Sequence, residues 1–76
     1  MKEDLLQQIE QMMPGFSKSQ KLIANYILNH YEKAAYMTAL KLGNAVNVSE
    51  STVVRFAIEL GFEGYPEMQK ALKEFT

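Results

Sequence analysis

TALKLGNAVNVSESTVVRFAIELG, residues 38–61, is the stretch that decides the fold. Thr38 and Ser49 are both residue types that cap helix starts, and each stands directly ahead of a short apolar-periodic run. The pattern predicts one helix over 39–46 and a second over 50–60. Asn47 supplies the turn between them, because asparagine is one of the few non-glycine residues that tolerates φ > 0. Val48 is expected to tuck under that turn, and Gly61 to end the second helix in a left-handed conformation. Gly43, six residues before Ser49, is expected where the two helices cross too closely for a larger side chain. The unit has the shape of a helix-turn-helix.

At about 100° per residue, Val53, Phe56, Ala57 and Leu60 fall on one side of the second helix, in the i, i+3, i+4, i+7 spacing of a buried stripe. Leu42 and Val46 face them from the first helix. The opposite side carries Ser51, Arg55 and Ile58, with Val54 at one edge and Thr52 and Glu59 at the other. Hydroxyls, one guanidinium and β-branched methyls suit the major groove of DNA. Arginine bonds guanine bidentately, hydroxyls bond bases or phosphates, and methyl groups touch thymine. The helix start adds free N–H groups and the positive end of a dipole for a phosphate.

Working outward, three more helices are expected, over about 2–13, 17–31 and 66–75, making an all-α, five-helix, homeodomain-like bundle. Leu5, Leu6, Ile9, Met12 and Met13 form the stripe of the first, and Pro14-Gly15 stops it. Ser17 and Gln20 fit a capping box at the second, with Phe16 and Lys21-Leu22 placed for a hydrophobic staple. Leu22, Ile23, Tyr26, Ile27 and His30 make its apolar stripe. Residues 32–37 are expected as a connection. Pro66 suits the first position of the last helix, with Met68, Leu72 and Phe75 facing inward.

With 76 residues and 47% hydrophobic content, the chain amounts to one small domain, 1–76. Without cysteine, and with His30 as the lone histidine, it offers no disulfide scaffold, no thiolate or multi-histidine metal site and no cysteine catalysis. No nucleophile–base pair, phosphate loop or paired acids in a cleft is apparent, so neither an enzyme nor a cofactor is expected. No apolar run approaches the roughly 18 residues that span a membrane, and the acidic start lacks a signal core, so a cytoplasmic protein is expected. Net charge is −1. Its distribution matters more: Lys18, Lys21, Lys33, Lys41 and Arg55 outnumber Glu32 and Glu50 by three between residues 17 and 58, whereas both flanks are acidic.

Phe16-Ser-x-x-Gln20, Met37-Thr38, Asn47-Val-Ser-x-Ser-Thr-Val-Val-Arg-Phe56, Leu60-Gly-Phe62 and Gly64-Tyr65 together resemble the N-terminal domain of the RpiR family of bacterial regulators. The resemblance covers nearly the whole chain. It implies a DNA-binding domain followed, in a longer protein, by a sugar-phosphate-sensing domain of the sugar isomerase type, and control of sugar-metabolism genes. The effector domain is absent from these 76 residues, so sugar-phosphate binding is expected only there. Where the family usually shows Glu-Leu-Ala, this chain has Lys41-Leu42-Gly43, which adds positive charge and puts a helix-weakening glycine inside.

The DNA-contact set expected from these readings is Thr38, Lys41, Ser49, Glu50, Ser51, Thr52, Val54, Arg55 and Ile58, with Lys18 and Lys21 on phosphates. Arg55 is the leading base contact; its bland alternative is an i, i+4 ion pair with Glu59. Ser49 doubles as a cap, and Glu50 also complements the helix dipole. His30 is expected to pack and hydrogen-bond, and Tyr26, Tyr31, Tyr36 and Tyr65 to seal the core edge. So few cations predict a homodimer or higher oligomer on a double-stranded operator, paired through the first helix, by an exposed Leu5/Ile9/Met12 stripe, or through the tail after Pro66. The competing reading is a helical protein-interaction module without DNA contact.

Overall fold

In the computed structural model, residues 4–74 are described. They form α1 (Asp4–Met12), a short 3₁₀ turn (Met13–Gly15), α2 (Lys18–Asn29), α3 (Tyr31–Ala34), α4 (Ala39–Val46), α5 (Glu50–Glu59) and α6 (Tyr65–Lys73), with no strand among the described residues. The expected all-α bundle is present. Lys2 and Phe75, expected within the first and last helices, lie outside the described residues.

Among the described residues the helices number six, not five, because α2 stops at Asn29 and α3 spans the end of the expected second helix and the first part of the segment read as a connection. Its single turn closes through Ala34 N–H to the His30 carbonyl and Ala35 N–H to the Tyr31 carbonyl, both at 2.9 Å. Ala34 and Ala35 are fully buried, and only side chains this small let a one-turn helix press into the core. Four residues are too few for hydrophobic periodicity to register.

The caps follow the sequence closely. Ser17 and Gln20 form the full capping box. Thr38 Oγ1 accepts from the Lys41 N–H at 3.1 Å, and Ser49 Oγ from the Thr52 N–H at 3.2 Å. Asn47 adopts φ 65°, and the Gly43 carbonyl accepts from both Asn47 and Val48. At the end of α5, Gly61 has φ 103°; its N–H bonds the Ile58 carbonyl and the Phe62 N–H bonds the Ala57 carbonyl, a Schellman closure. Pro66 takes the second position of α6 rather than the first, a place where its missing N–H is equally harmless.

Phe56, Val53, Ile23, Ile27, Leu42, Ile9, Met68 and Leu72 form the fully buried centre, so every helix of two or more turns contributes to one core. A Cβ on Gly43 would lie 2.6 Å from the Val48 carbonyl oxygen, so the close approach predicted there is real, and it is to the backbone of the turn. Tyr65 Oη and Gln69 Nε2 both donate to the Met37 carbonyl, tying α6 to the residue before the α4 cap. Burial pushes the Tyr65 phenol up to about 12.

Several packing expectations change. Leu22 is 43% exposed, and Ala24 takes its place on the buried face of α2. Phe16 forms its close ring contact with Phe56, at 5.3 Å between centroids, while Lys21 and Leu22 point outward, so the expected staple is replaced by a long-range one. His30 is exposed at the end of α2, beside the Tyr26 ring at 5.1 Å, rather than packed. Tyr36 is 68% exposed, with the Lys73 ammonium 5.4 Å from its ring, and does not seal the core. Leu5 and Ile9 are buried within the single chain, so α1 has no exposed Leu5/Ile9/Met12 stripe to offer a second copy.

Candidate nucleic-acid interface

The second helix of the motif presents its two sides as the periodicity demands. Val53, Phe56 and Ala57 are fully buried, while Ser51, Arg55 and Ile58 stand outside, Ile58 with 52% exposure. Val54 is half-buried and packs against the core from the edge of that face. Burial of one stripe therefore aims the other outward.

Three hydroxyls gather at the start of α5. Ser49 Oγ lies 2.8 Å from Thr52 Oγ1 and 3.2 Å from Ser51 Oγ, besides capping the Thr52 N–H. Ser49 is thus both a cap and a member of a hydroxyl cluster at the positive end of a helix dipole. Glu50 is exposed in the same first turn.

Two shallow surface depressions meet at Arg55. One is lined by Glu50, Ser51, Val54, Arg55 and Ile58, all from α5. The other joins the start of α2 to α5 and is lined by Ser17, Ser19, Gln20, Thr52, Arg55 and Glu59. Lys18 and Lys21, both exposed, belong to the same first turn of α2. The structure therefore brings the α2 start and the α5 face together. Thr38 and Lys41 are exposed at the start of α4 and line neither depression.

The alternative partner for Arg55 is engaged elsewhere. Glu59 Oε1 accepts from Gln20 Nε2, and the same Gln20 amide accepts from the Ser17 N–H at 2.7 Å. Among the described residues, no carboxylate lies within ion-pair distance of the Arg55 guanidinium. One amide thus closes the α2 cap, links α2 to α5 and holds the carboxylate one turn along from Arg55. Ser17, Ser19, Gln20 and Glu59 were not among the expected contact residues. The capping box explained Ser17 and Gln20 locally, and nothing in the sequence couples position 20 to position 59.

The residues 3–75 match the model of the helix-turn-helix domain of the rpiR family. An uncharacterized HTH-type transcriptional regulator of Escherichia coli, YfhH, is 38% identical over 69 residues, covering 91% of this chain and 24% of the relative. The HTH-type transcriptional regulator HexR of Pseudomonas aeruginosa is 33% identical over 72 residues, covering 95% of this chain and 25% of the relative. GlvR of Bacillus subtilis, also an HTH-type transcriptional regulator, is 41% identical over 51 residues, covering 67% of this chain and 20% of the relative. The chain therefore spans about a quarter of the length of the curated relatives it matches. Motif geometry, caps and family match agree: the chain belongs to the helix-turn-helix domains of the rpiR family.

Proposed function

We infer that this chain is the DNA-reading domain of a cytoplasmic, non-enzymatic transcriptional regulator, with α5 lying in the major groove of a double-stranded operator. The observation that carries the reading is the outward face of α5. A guanidinium with no carboxylate in ion-pair range among the described residues, a hydroxyl cluster at a helix start and two aliphatic side chains are presented together. Arg55 contacts a base, Ser51 and Thr52 contact bases or phosphates, and Lys18 and Lys21 at the α2 start and Lys41 at the α4 start contact phosphates. Among the described residues no helix is long and apolar enough to cross a membrane. The RpiR resemblance adds control of sugar-metabolism genes, with a sugar-phosphate effector bound by a domain outside this chain.

The cation supply also argues for two copies. A single domain offers few lysines and one arginine to the duplex, and each neutralised phosphate contributes only its share of counterion release. A homodimer reading half-sites about one helical turn apart supplies the rest. With Leu5 and Ile9 buried in the monomer, the pairing surface lies elsewhere.

The test is a titration of selected duplexes at several salt concentrations. Binding should weaken linearly in log salt, with a slope near −0.9 per neutralised phosphate. Arg55→Ala should cost about 1–3 kcal/mol and blur preference at one base pair, leaving the slope nearly unchanged. Unchanged affinity and base preference would remove Arg55 from the interface. Salt-independent association with a protein partner, and no enriched duplex, would favour the interaction-module reading instead.

A further inference from the structure

The depression lined by α5 alone has a chemistry that a phosphate does not fit. Residues 50, 54 and 58 form one i, i+4 row and residues 51 and 55 the next, and the depression lies between them. Its apolar part is Val54, half-buried and fixed against the core, and Ile58, which projects with 52% exposure. Arg55 and Ser51 stand on its other side, and the Glu50 carboxylate closes the end towards the helix start. Arg55 and Ser51 could bond a phosphate on their side, but its remaining oxygens would lose hydration against Val54 and Ile58, and Glu50 would repel it. An aliphatic side chain from a partner protein would cover the methyls but bury the guanidinium and hydroxyl without acceptors.

We propose that this depression is a thymine-methyl slot beside a guanine-reading arginine, so that the operator carries a thymine in the base pair next to the guanine held by Arg55. The proposal rests on the reading of α5 as the major-groove helix. Thymine alone among the bases presents a methyl in the major groove, and guanine presents the two acceptors, N7 and O6, that a guanidinium bonds. Arg55 and Ile58 are three residues apart, about 4.5 Å along the helix, a little more than one base-pair step of about 3.4 Å. The two contacts thus fall on neighbouring pairs. Val54 is the rigid floor, and Ile58 is the residue that determines the preference.

The experiment is a pair of selections from random duplexes, one library made with thymine and the other with uracil in its place, which removes the 5-methyl and nothing else. In the thymine pool an enriched guanine should stand next to an enriched thymine. In titrations of the selected duplex, replacing that one thymine by uracil should weaken binding about fourfold, the effect of one buried methylene-sized group at about 0.8 kcal/mol. Ile58→Ala, a change at an exposed position, should bring that ratio close to one while keeping the guanine preference; Arg55→Ala should do the reverse. Equal affinity for thymine and uracil at every enriched position, or a thymine effect that survives in Ile58→Ala, would overturn the slot. Enrichment of no sequence in either pool would instead remove the DNA-reading helix itself, and the slot with it.

Discussion

Gly43 offers a test of how the two helices of the motif are held. Replacing it by alanine sets two effects against each other. Alanine is favoured over glycine inside a helix by about 1 kcal/mol, so propensity alone predicts a gain. The new methyl, however, would stand 2.6 Å from the Val48 carbonyl oxygen and 3.3 Å from that of Ser49. Ordinary contact begins at 3.4 Å, so the first of these needs a shift of roughly 0.8 Å. The obstructing atom is backbone, and it cannot yield alone. The Val48 N–H is bonded to the Gly43 carbonyl at 2.9 Å, and the next residue, Ser49, caps α5. Overpacking of this kind costs about 1–3 kcal/mol, so the net expectation for Gly43→Ala is a loss of about 1 kcal/mol. For a domain of this size that lowers Tm by about 4–8 °C. Thermal and urea unfolding followed by circular dichroism would measure it. The propensity contribution is read separately from an alanine–glycine pair at Asn44, exposed on the next position of the same helix. A Gly43→Ala protein as stable as the original, or more so, would show that the turn yields freely and refute the argument. Because the displaced atoms lead directly into the Ser49 cap, the same substitution should also weaken operator binding.

Other outcomes follow from the same contacts. Tyr65 has a folded pKa of about 12, above its ordinary value of 10, so its contribution to stability is fully present below pH 10 and is lost as pH rises through 12. Tyr65→Phe should therefore remove a decline on the order of 2 kcal/mol over that window, measured as the difference between the two unfolding curves; identical curves would contradict the buried phenol. Ser49→Ala should destabilise the domain by about 1 kcal/mol through the lost cap, visible as a lower urea midpoint with unchanged m. Glu59→Gln keeps an acceptor for Gln20 while removing a negative charge one turn from Arg55. It should tighten binding to nonspecific duplex at low salt severalfold, with the gain shrinking as salt rises; a salt-independent change would point to a structural cause.

The local features of this molecule were legible in the chain because each is fixed within a few residues. Ser17, Thr38 and Ser49 cap helices through bonds that span three positions, Asn47 and Gly61 take the φ values their turns require, and the α5 periodicity separates Val53 and Phe56 from Ser51 and Arg55. The features that required the folded structure span long separations or very short elements. The turn of α3 is too brief to show a period, and Leu22 loses its place in the core to Ala24 because the neighbouring helices, not the amphipathic stripe, choose which edge of α2 is covered. The apolar stripe of α1, usable in principle by a second copy, is consumed by the monomer's own core.

The candidate interface divides in the same way. By itself the sequence determined the motif, its caps, the outward position of Arg55, Ser51 and Ile58, and the local surplus of positive charge, since each depends on spacing or composition alone. Only the tertiary structure decided that Glu59 engages Gln20 instead of Arg55, and that the α2 start lies against the α5 face. The physical reason is that an exposed i, i+4 ion pair is worth only a few tenths of a kcal/mol. So weak a local preference is settled by whichever polar group the packing of distant helices brings within reach, and here that group is an amide 39 residues away.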